Sequence, residues 1–569
     1  MQQNQPWYGE IASKCYYGGH NECYTHGIHH EKTCDIDIRQ AYMIALLSMH
    51  DVDFTQAPDI FDKGHVLRLS DIPDPTRFGF GYIEFEFPKD TYAPNIPVRS
   101  SKKDGASPVF PLEGKTYACT PDIYAGLKQG ARVKVLGNGF IMPQMADTRF
   151  LAETIEEMMQ QREEDKQKYG KGSAFELLDK IVNNGFYGKT GQGVKGKKER
   201  DFLTGEREEV EYCQVSDPCL ASMITGIVRM LLSMITQSIL ESGYKVYSST
   251  TDGLITNMPK AKHHKIDDFI KGSCDIFHKQ LKRVLGIGSL VEIKHVNDYF
   301  ANVSTRTNFG VTDEPGFDGV LAKGSFKGDD HFRRLTTREQ AEHMINLFLK
   351  RRGRIPDVSN SLNNLFELKE KRAKDIEELE VDEQGNIIQK QRRLSMDFDM
   401  KRKPVCKVGN EIKNGLYSYG YFETEPYANM EEYEQQRAVW KLVKKREHTI
   451  KTETDLAMFN YQVQHLEMPN YKPTYTKDKK DRIKMRSLVG ACVQGLYTAN
   501  DMQWLRSEFN TWAEFKRALN NTFDLNINLD SIFKKASSDK VIDIFMAQSL
   551  LRRFVDDYKN NRHNQTLSE

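Results

Sequence analysis

Hydrophobic and polar positions follow a two-residue period in several short segments of the first 150 residues. Phe78–Phe87, which alternates near its end, and Ala131–Ile141 are both bounded by turn residues and are predicted strands. Cys34–Ile38 alternates apolar and acidic residues, which places Asp35 and Asp37 on one face of a further strand. The alternative for this segment is an edge strand whose aspartates face water.

The pattern becomes helical over residues 148–184, with a break at Gly170 and Gly172. A Gly- and Lys-rich stretch, Gly191–Cys213, has the character of a hairpin, and Leu220–Leu240 is predicted to be a long apolar helix. The middle of the chain therefore combines helices with a short hairpin.

Two β-branched runs joined by Thr251-Asp252-Gly253 come next, and Asp-Gly between such runs predicts a hairpin with Asp252 at its tip. Beyond about residue 330 the chain is highly charged and is predicted to be mostly helical. Within this part, Glu367–Glu380 is a charge-dense helix and Asp382–Asn386 is its predicted terminator.

Composition limits the kind of partner the chain can have. Its 569 residues include 81 Lys and Arg against 80 Asp and Glu, a net charge of +1, so there is no global polycation signature. A nucleic-acid partner must therefore be held by local basic patches. Lys390–Lys407 and Tyr471–Arg486 are candidate duplex contacts, and a merely solvated basic surface is the alternative for both.

Several classes of protein are excluded. The longest apolar runs, such as Tyr42–Ser48, are far shorter than the roughly 18 residues of a spanning helix, so no membrane partner is expected. The N-terminus lacks a basic region followed by an apolar stretch, and nine cysteines is an odd count typical of reduced thiols. We expect an intracellular protein, in the host cytoplasm if it is viral, and not a secreted one.

Asp37 and Asp252 are candidate metal ligands because separate β segments would present them. Burying two carboxylates together is costly unless cations neutralise them. Each acid taken alone is better explained as a surface residue. The two acids together indicate a metal site only if a third element of the sequence requires both of them.

A helix face supplies that third element. Lys180, Asn184 and Tyr187 are spaced i, i+4 and i+7, so they share one face of a helix. An ammonium, an amide and an aromatic ring on one stripe suit the phosphate, sugar edge and base of a nucleotide. The preceding predicted helix offers three further cations for a triphosphate: Arg162, Lys166 and Lys168. A solvated Glu/Lys helix is the alternative for that second group.

These elements occur in an order that resembles the three polymerase motifs of family-B DNA polymerases, particularly their viral, organellar and protein-primed branch. The matching segments are Asp37-x4-Tyr42, Lys180-x3-Asn184-x2-Tyr187-Gly188 and Thr251-Asp252-Gly253. Just upstream, Tyr16-Tyr17-Gly18-Gly19 looks like the Tyr-x-Gly-Gly template-contact motif of the protein-primed enzymes. The resemblance covers roughly residues 14–330.

The chain departs from the family pattern at several positions. Thr250 replaces the first aspartate of the third motif, while the metal-holding second aspartate is matched by Asp252. The primer-strand motif Lys-x-Tyr is matched only in degenerate form by Arg306–Phe309. Glu292 is a candidate for a third acidic group.

The resemblance implies an α+β, right-hand polymerase fold with an antiparallel β palm, helical fingers and a mostly helical thumb and C-terminal region. The implied divisions are an N-terminal segment with the glycine loop (1–34), a first palm part (35–147) with an insertion at about 54–146, fingers (148–190), a second palm part (191–330) with a hairpin insertion at about 190–215, and a helical thumb with a C-terminal extension (331–569).

The implied activity is that of a DNA-directed DNA polymerase subunit in viral or plasmid-type replication, adding dNTPs to a primer 3′-hydroxyl by two-metal transfer. Two Mg²⁺ ions, with Mn²⁺ as the alternative, would be held by Asp37 and Asp252. Tyr42 would exclude a 2′-hydroxyl, and Asn184 and Tyr187 would line the nascent base pair. The implied nucleotide-binding residues are Tyr42, Arg162, Lys166, Lys168, Lys180, Asn184 and Tyr187.

Template–primer DNA and dNTPs are the implied partners. The implied template- and primer-binding residues are Tyr16, Gly18, Gly19, Gly188, Lys189, Thr251 and Arg306. Only 36 residues precede Asp37, too few for a proofreading exonuclease domain. Editing is therefore expected to be absent or to reside on a separate exonuclease subunit, and a terminal protein is a further candidate partner. Priming from a protein hydroxyl or from a nucleic-acid end is left open.

Two other functions compete with this interpretation. A catalytically weak or silent nucleic-acid-binding accessory subunit is suggested by Thr250 and by the degenerate primer motif. An RNA polymerase or reverse transcriptase would use similar two-metal chemistry.

A Cys/His cluster near the N-terminus raises the question of zinc. Its members are Cys15, His20, Cys23, His26, His29, His30 and Cys34. The spacing Cys-x2-His-x2-His is compatible with zinc, but the paired units typical of zinc modules are missing. A zinc site is not expected here.

Overall fold

The computed structural model describes most of the first 350 residues and parts of the remainder. The described residues are 7–99, 108–145, 148–149, 151–194, 198–200, 207–209, 211–324, 326, 328, 330–350, 358–360, 390–392, 396, 398–408, 421–445, 459, 509, 511, 513–515 and 517–518. The predicted helix at Glu367–Glu380, its terminator and the basic segment Tyr471–Arg486 lie outside them.

Contacts divide the chain into two units. The first comprises Met1–Arg437 and Lys444–Thr452, and the second comprises Ala438–Val443 and Glu453–Glu569. Among the described residues of the second unit, the rings of Trp440 and Phe459 meet edge to face with centroids 5.9 Å apart. The candidate site lies entirely in the first unit.

Besides two short 3-10 helices, Leu69–Asp71 and Lys260–Lys262, eleven α-helices have defined bounds in the described residues. They are α1 Trp7–Cys15, α2 Ala41–Ser48, α3 Thr120–Lys128, α4 Ala152–Tyr169, α5 Ala174–Thr190, α6 Pro218–Glu241, α7 His264–Ser273, α8 Ile276–Leu285, α9 Asp330–Arg334, α10 Thr337–Lys350 and α11 Met430–Lys445.

Twenty strands occur in the same residues. They are β1 His20–Cys23, β2 Thr25–His29, β3 Thr33–Ile38, β4 Asp59–Phe61, β5 Val66–Leu67, β6 Gly79–Glu86, β7 Glu113–Cys119, β8 Arg132–Ile141, β9 Lys198–Arg200, β10 Arg207–Glu209, β11 Val246–Thr251, β12 Gly253–Thr256, β13 Val291–Asn297, β14 Tyr299–Ser304, β15 Thr307–Val311, β16 Leu321–Lys323, β17 Val358–Asn360, β18 Lys390–Arg392, β19 Lys403–Val408 and β20 Tyr421–Glu425.

The strands form three larger antiparallel sheets and two hairpins. The sheet that carries the candidate acids has the order β1-β11-β12-β3-β13. A six-stranded sheet has the order β16-β15-β14-β2-β20-β19, and a third sheet, β4-β8-β6-β7 with β5 on β8, comes entirely from residues 59–141. Helices combined with antiparallel sheets confirm the predicted α+β class.

The long helix α6 forms the centre of the core. Asp217 caps its N-terminus by accepting hydrogen bonds from the amides of Cys219 and Leu220, and Pro218 stands at its first turn. The helix packs against α1, α2, α3 and α7. In length and apolar composition α6 would also suit a membrane span, but 89% of its most apolar window is buried inside the protein, as in the core helix of a globular domain.

Most of the predicted elements are present. The strands predicted at Cys34–Ile38, Phe78–Phe87 and Ala131–Ile141 are β3, β6 and β8, and the hairpin around Asp252 is formed by β11 and β12. The predicted helix break lies between α4 and α5, where Gly170 has a φ of 89°. The predicted hairpin in Gly191–Cys213 is formed by β9 and β10.

The described chain after residue 330 contains four strands as well as the helices α9, α10 and α11. Strands β17 and β18 pair with each other, and β19 and β20 join the six-stranded sheet. In that sheet β20 pairs with β2, so the N-terminal segment 1–34 contributes strands as well as the glycine loop. These pairings join segments that are far apart in the sequence, which a local pattern does not reveal.

Candidate active site

The candidate acids lie on neighbouring antiparallel strands. Within β3, Asp37 pairs with Gly253 of β12 on one side and with Glu292 of β13 on the other. Alternation along β3 buries Ile36 and Ile38 and leaves Asp37 partly exposed on the opposite face. The strand therefore presents its acid toward a cleft while its apolar residues anchor it in the core.

The hairpin tip between β11 and β12 brings Asp252 beside Asp37. The carbonyl of Asp252 accepts a hydrogen bond of 2.8 Å from the amide of Ile38. Thr251 has a φ of 61°, a left-handed conformation that a β-branched residue rarely adopts and that costs on the order of 1–3 kcal/mol. The paired strands on both sides hold this strained tip in place.

The glycine that follows Asp252 is required by the packing of the two acids. A Cβ at Gly253 would lie 2.1 Å from Oδ1 of Asp37 and 2.9 Å from the carbonyl of Ile36. The Asp-Gly pair is therefore both a turn signal and the condition for close approach of the two strands.

The pKa values of three acids in the cleft are shifted in different directions. Burial and the neighbouring charges of Asp35 and Asp252 raise the pKa of Asp37 to about 8. Burial also raises the pKa of Asp252. Glu292 differs: burial would raise its pKa, but the hydrogen bond from Lys294 and the charges of Lys294, Arg39 and Lys166 together lower it. The protein alone therefore stabilises the ionised forms of Asp37 and Asp252 poorly, and a bound cation would favour them.

Two cations, Lys294 and Arg39, offset the negative charge of the Glu292 carboxylate. Lys294 contacts the Glu292 carboxylate, and its Nζ lies 3.9 Å from Oδ2 of Asp37. Arg39 donates to Oε2 of Glu292 at 2.9 Å. Glu292, the candidate for a third acidic group, is therefore already engaged by two cations.

The two aspartates fit a divalent cation. In the part of the chain that the structure describes, no group of three or more Cys, His, Asp or Glu residues is arranged to hold a metal. Mg²⁺ commonly uses one or two carboxylates together with substrate phosphates and water, so two under-compensated carboxylates are a suitable donor set. Metal binding would relieve the mutual repulsion that raises the pKa of Asp37.

Helix α5 faces these acids across the cleft. Ser173 begins the helix by accepting a hydrogen bond from the amide of Glu176, and the side chains of Lys180 and Asn184 line the cleft. The predicted juxtaposition of acids, ammonium and amide is therefore present. Other lining residues include Arg39, Tyr42, Arg162, Lys166, Lys171, Asn183, Glu292 and Lys294.

Tyr187 does not line the cleft directly but stacks on Tyr42. The two ring centroids are 4.0 Å apart and the planes are 9° from parallel. Burial raises the pKa of both phenols, and Tyr16 makes a side-chain hydrogen bond to Tyr187. This tyrosine cluster connects the glycine loop with the residues predicted to line the base pair.

The predicted convergence of three cations from α4 is only partly realised. Arg162 donates from Nε and Nη2 to Oε1 of Glu176, at 3.1 and 2.9 Å, so its charge secures the joint between α4 and α5. Lys166 lines the cleft and lies 3.5 Å from Glu163. Lys168 is not part of the cleft lining, and its ammonium lies 4.9 Å from the ring centroid of Tyr169.

The residues predicted to contact template and primer lie near the hairpin tip. Gly18 is exposed, and a Cβ at Gly19 would lie 2.8 Å from Cα of Thr251. Arg306 donates to the Thr251 hydroxyl at 3.4 Å. Gly188 has open space around it, and Lys189 donates to Gln192 at 2.7 Å.

Most of the Cys/His cluster lies in strands, whereas Cys15 ends α1 and His30 is exposed outside them. His20 hydrogen-bonds to Glu22 at 2.9 Å, and Nδ1 of His26 hydrogen-bonds to the carbonyl of Val303 at 2.8 Å. The side chains of His20, Glu22 and His26 are buried. Glu22 lies in the same strand as His20, and Val303 lies in β14, which pairs with the strand of His26. Buried imidazoles with such partners are typical of structural histidines.

Two adjacent acids on antiparallel strands, facing a helix that carries Lys180 and Asn184, define a site that combines carboxylates with an ammonium and an amide. No family model matches the chain. The chain is 28% identical over 456 residues, 78% of its length, to the primer-independent DNA polymerase PolB of Escherichia coli. The chain spans 47% of that relative. This match confirms the predicted resemblance to family-B DNA polymerases.

Two solved structures are also similar. Phi29 DNA polymerase complexed with primer-template DNA and incoming nucleotide substrates shares 13% identity with a TM-score of 0.44, over 69% of this chain and 63% of that chain. The family B DNA polymerase from the hyperthermophilic archaeon Pyrobaculum calidifontis shares 10% identity with a TM-score of 0.28, over 81% of this chain and 48% of that chain.

Proposed function

We propose that the chain is a DNA-directed DNA polymerase that transfers dNTPs to a primer 3′-hydroxyl by two-metal chemistry. The observation that carries the proposal is the pairing of β3 with β12, which puts Asp37 beside Asp252 opposite Lys180. The name of the matched relative, a primer-independent DNA polymerase, supports the same reaction.

In the proposed mechanism Asp37 and Asp252 would hold the divalent ions, which when bound lower the pKa of the attacking hydroxyl and neutralise the leaving group. Lys180 and Lys166 face the same cleft and would hold the β- and γ-phosphates. Positioning and electrostatics do most of the work in such transfers. Lys294 would keep Glu292 neutralised, so that Asp37 and Asp252 would be the acids left to hold the cations.

The direct test is incorporation of dNTPs on a primed DNA template by the purified chain. We expect incorporation that requires Mg²⁺ or Mn²⁺ and that stops when a chelator is added. DNA binding without incorporation, in the presence of either ion, would favour the accessory-subunit alternative. The same reaction on an unprimed template tests whether the relative's primer independence extends to this chain.

Lys180→Met is expected to raise the KM for dNTP by roughly ten- to a hundredfold, because a charge-assisted hydrogen bond contributes about 1.5–3 kcal/mol. Primer-template affinity should stay within about twofold. The comparison is Lys168→Met, on the same pair of helices but outside the cleft lining, for which we expect an unchanged KM. Equal effects of the two substitutions would contradict the placement of the triphosphate. Steady-state kinetics with varied dNTP measures both.

Tyr42→Ala is expected to admit ribonucleotides, since the ring that would exclude a 2′-hydroxyl is removed. The ratio of kcat/KM for rNTP over dNTP should rise by about tenfold or more. Tyr42→Phe keeps the ring stacked on Tyr187 and should keep the preference for dNTPs. An unchanged ratio in Tyr42→Ala would assign sugar selection to another residue.

A further inference from the structure

The apolar helix α6 contains one fully buried charge, Arg229. Its guanidinium makes a two-point ion pair with Asp122 of α3, with distances of 2.8 Å from Nε to Oδ1 and 2.6 Å from Nη2 to Oδ2. Both side chains are 0% exposed. The Asp122 carboxylate also accepts a hydrogen bond from the Cys119 thiol at 3.1 Å, so its orientation is fixed from a second side.

The remaining nitrogen of Arg229 holds the glycine loop, defined as Tyr16–Gly19. Nη1 donates to the carbonyls of Tyr17 and Gly18, each at 2.9 Å. Arg99 donates to the preceding carbonyl, that of Tyr16. Three successive carbonyls of the glycine loop are therefore bound by two guanidinium groups.

The ring of Tyr17 reinforces this arrangement. The Arg99 guanidinium lies 4.6 Å from its centroid and the Arg229 guanidinium 5.9 Å. Its hydroxyl hydrogen-bonds to Thr116 of β7 at 2.7 Å. The loop is thus fixed by its backbone and by one side chain, while Gly18 remains exposed.

Stability alone does not explain a buried ion pair at this place. Replacing such a pair by apolar residues of similar volume is often neutral or stabilising, and the other buried side chains of α6 are apolar or carry only a hydroxyl group. Only the planar fork of arginine can bind a carboxylate at two points and still donate to two carbonyls. The geometry therefore points to a role in setting the conformation of the loop.

We infer that Arg229, oriented by Asp122, is a positioning residue that shapes the glycine loop for a DNA strand, an inference that rests on the proposed function. Its hydrogen bonds draw the carbonyl oxygens of Tyr17 and Gly18 inward, away from the surface that a phosphate would approach. Gly19 packs against Thr251, the neighbour of Asp252. The conformation of the loop therefore sets the distance between the bound strand and the acids.

The test compares Arg229→Lys and Asp122→Asn with the wild-type chain. Both variants keep a similar volume but lose the two-point fork. We expect amide hydrogen exchange in the glycine loop to accelerate at least tenfold and the Kd for primer-template DNA to rise at least fivefold. The KM for dNTP should stay within about twofold, because the cleft facing Lys180 is unchanged.

The matched control is Asp267→Asn, which removes a different buried carboxylate. Asp267 bonds to His278 at 2.8 Å in the pair α7 and α8. We expect this control to lower the unfolding midpoint without changing the Kd for DNA. The control therefore shows how a loss of stability alone changes hydrogen exchange in the glycine loop and the Kd for DNA.

The inference is overturned if Arg229→Lys and Asp122→Asn lower the unfolding midpoint but bind DNA with the wild-type Kd. If both variants fail to fold, Arg99→Lys is tested instead, because Arg99 binds the Tyr16 carbonyl from the exposed side of the loop. An unchanged Kd for primer-template DNA in Arg99→Lys overturns the inference. Hydrogen exchange and DNA affinity do not depend on catalysis. A wild-type chain that binds DNA without incorporating dNTPs would therefore refute the proposed function separately.

Discussion

Asp252→Asn is expected to reduce dNTP incorporation by about 10³-fold or more at saturating Mg²⁺. The amide keeps the volume of the carboxylate and the hairpin turn but cannot supply the negative charge that holds the metal ions. Loss of that electrostatic contribution is worth several kcal/mol at the transition state, and each 1.36 kcal/mol is a factor of ten in rate. Single-turnover incorporation on a primed template measures the effect.

The same variant should fold and bind DNA normally. Removing one of two neighbouring like charges leaves the unfolding midpoint of the metal-free protein unchanged or higher. The control is Asp298→Asn, a turn aspartate between β13 and β14 that accepts a hydrogen bond from the amide of Asp313 at 2.7 Å. We expect its incorporation rate to stay within about twofold of wild type. Substantial activity in Asp252→Asn would refute the assignment of Asp252 as a metal ligand.

Gly253→Ala is expected to reduce incorporation by about a hundredfold, although it adds only a methyl group. The new Cβ would lie 2.1 Å from Oδ1 of Asp37, so either the acid or the pairing of β3 with β12 must shift. Overpacking of this kind typically costs about 1–3 kcal/mol of folding free energy, and an ångström of misplacement at a catalytic group can cost a hundredfold in rate. Single-turnover kinetics and urea unfolding measure the two effects.

Gly272→Ala is the control for this substitution. Gly272 lies in α7 with no atom within 4 Å of the added Cβ, so alanine should stabilise the helix by up to about 1 kcal/mol. Wild-type kcat in Gly253→Ala would show that the two strands can separate without disturbing Asp37. That outcome would remove the steric reason for the glycine after Asp252.

Local patterns in the sequence were sufficient to predict several elements around the site. The alternation in β3, the Asp-Gly turn and the helical spacing of Lys180 and Asn184 depend on neighbours within a few residues. The adjacency of Asp37 and Asp252 was different, because it came from the order of motifs in a related family. No local rule gives the register that places Gly253 opposite Asp37.

Other features depended on contacts that a single sequence does not reveal. Arg162, predicted to bind phosphate, lines the cleft, but its ion pair with Glu176 at the start of α5 was not foreseen. The C-terminal strands β19 and β20 join β2 through pairing over a very long sequence separation. Arg229 was visible as a lone charge in an apolar helix, but its meaning required Asp122, which lies 107 positions earlier.

The six-stranded sheet has a consequence for synthesis on the ribosome. All strands of the sheet that carries Asp37 have been translated once β13 is complete. A nascent chain can therefore bring Asp37 and Asp252 together before its C-terminal part is made. One edge of β2 pairs with β14, and the other edge gains its partner, β20, only after Tyr421–Glu425 has been translated. Until then that edge is open to pairing with other chains. Expression of C-terminally shortened chains is therefore expected to cause aggregation even when the sheet that carries Asp37 is complete.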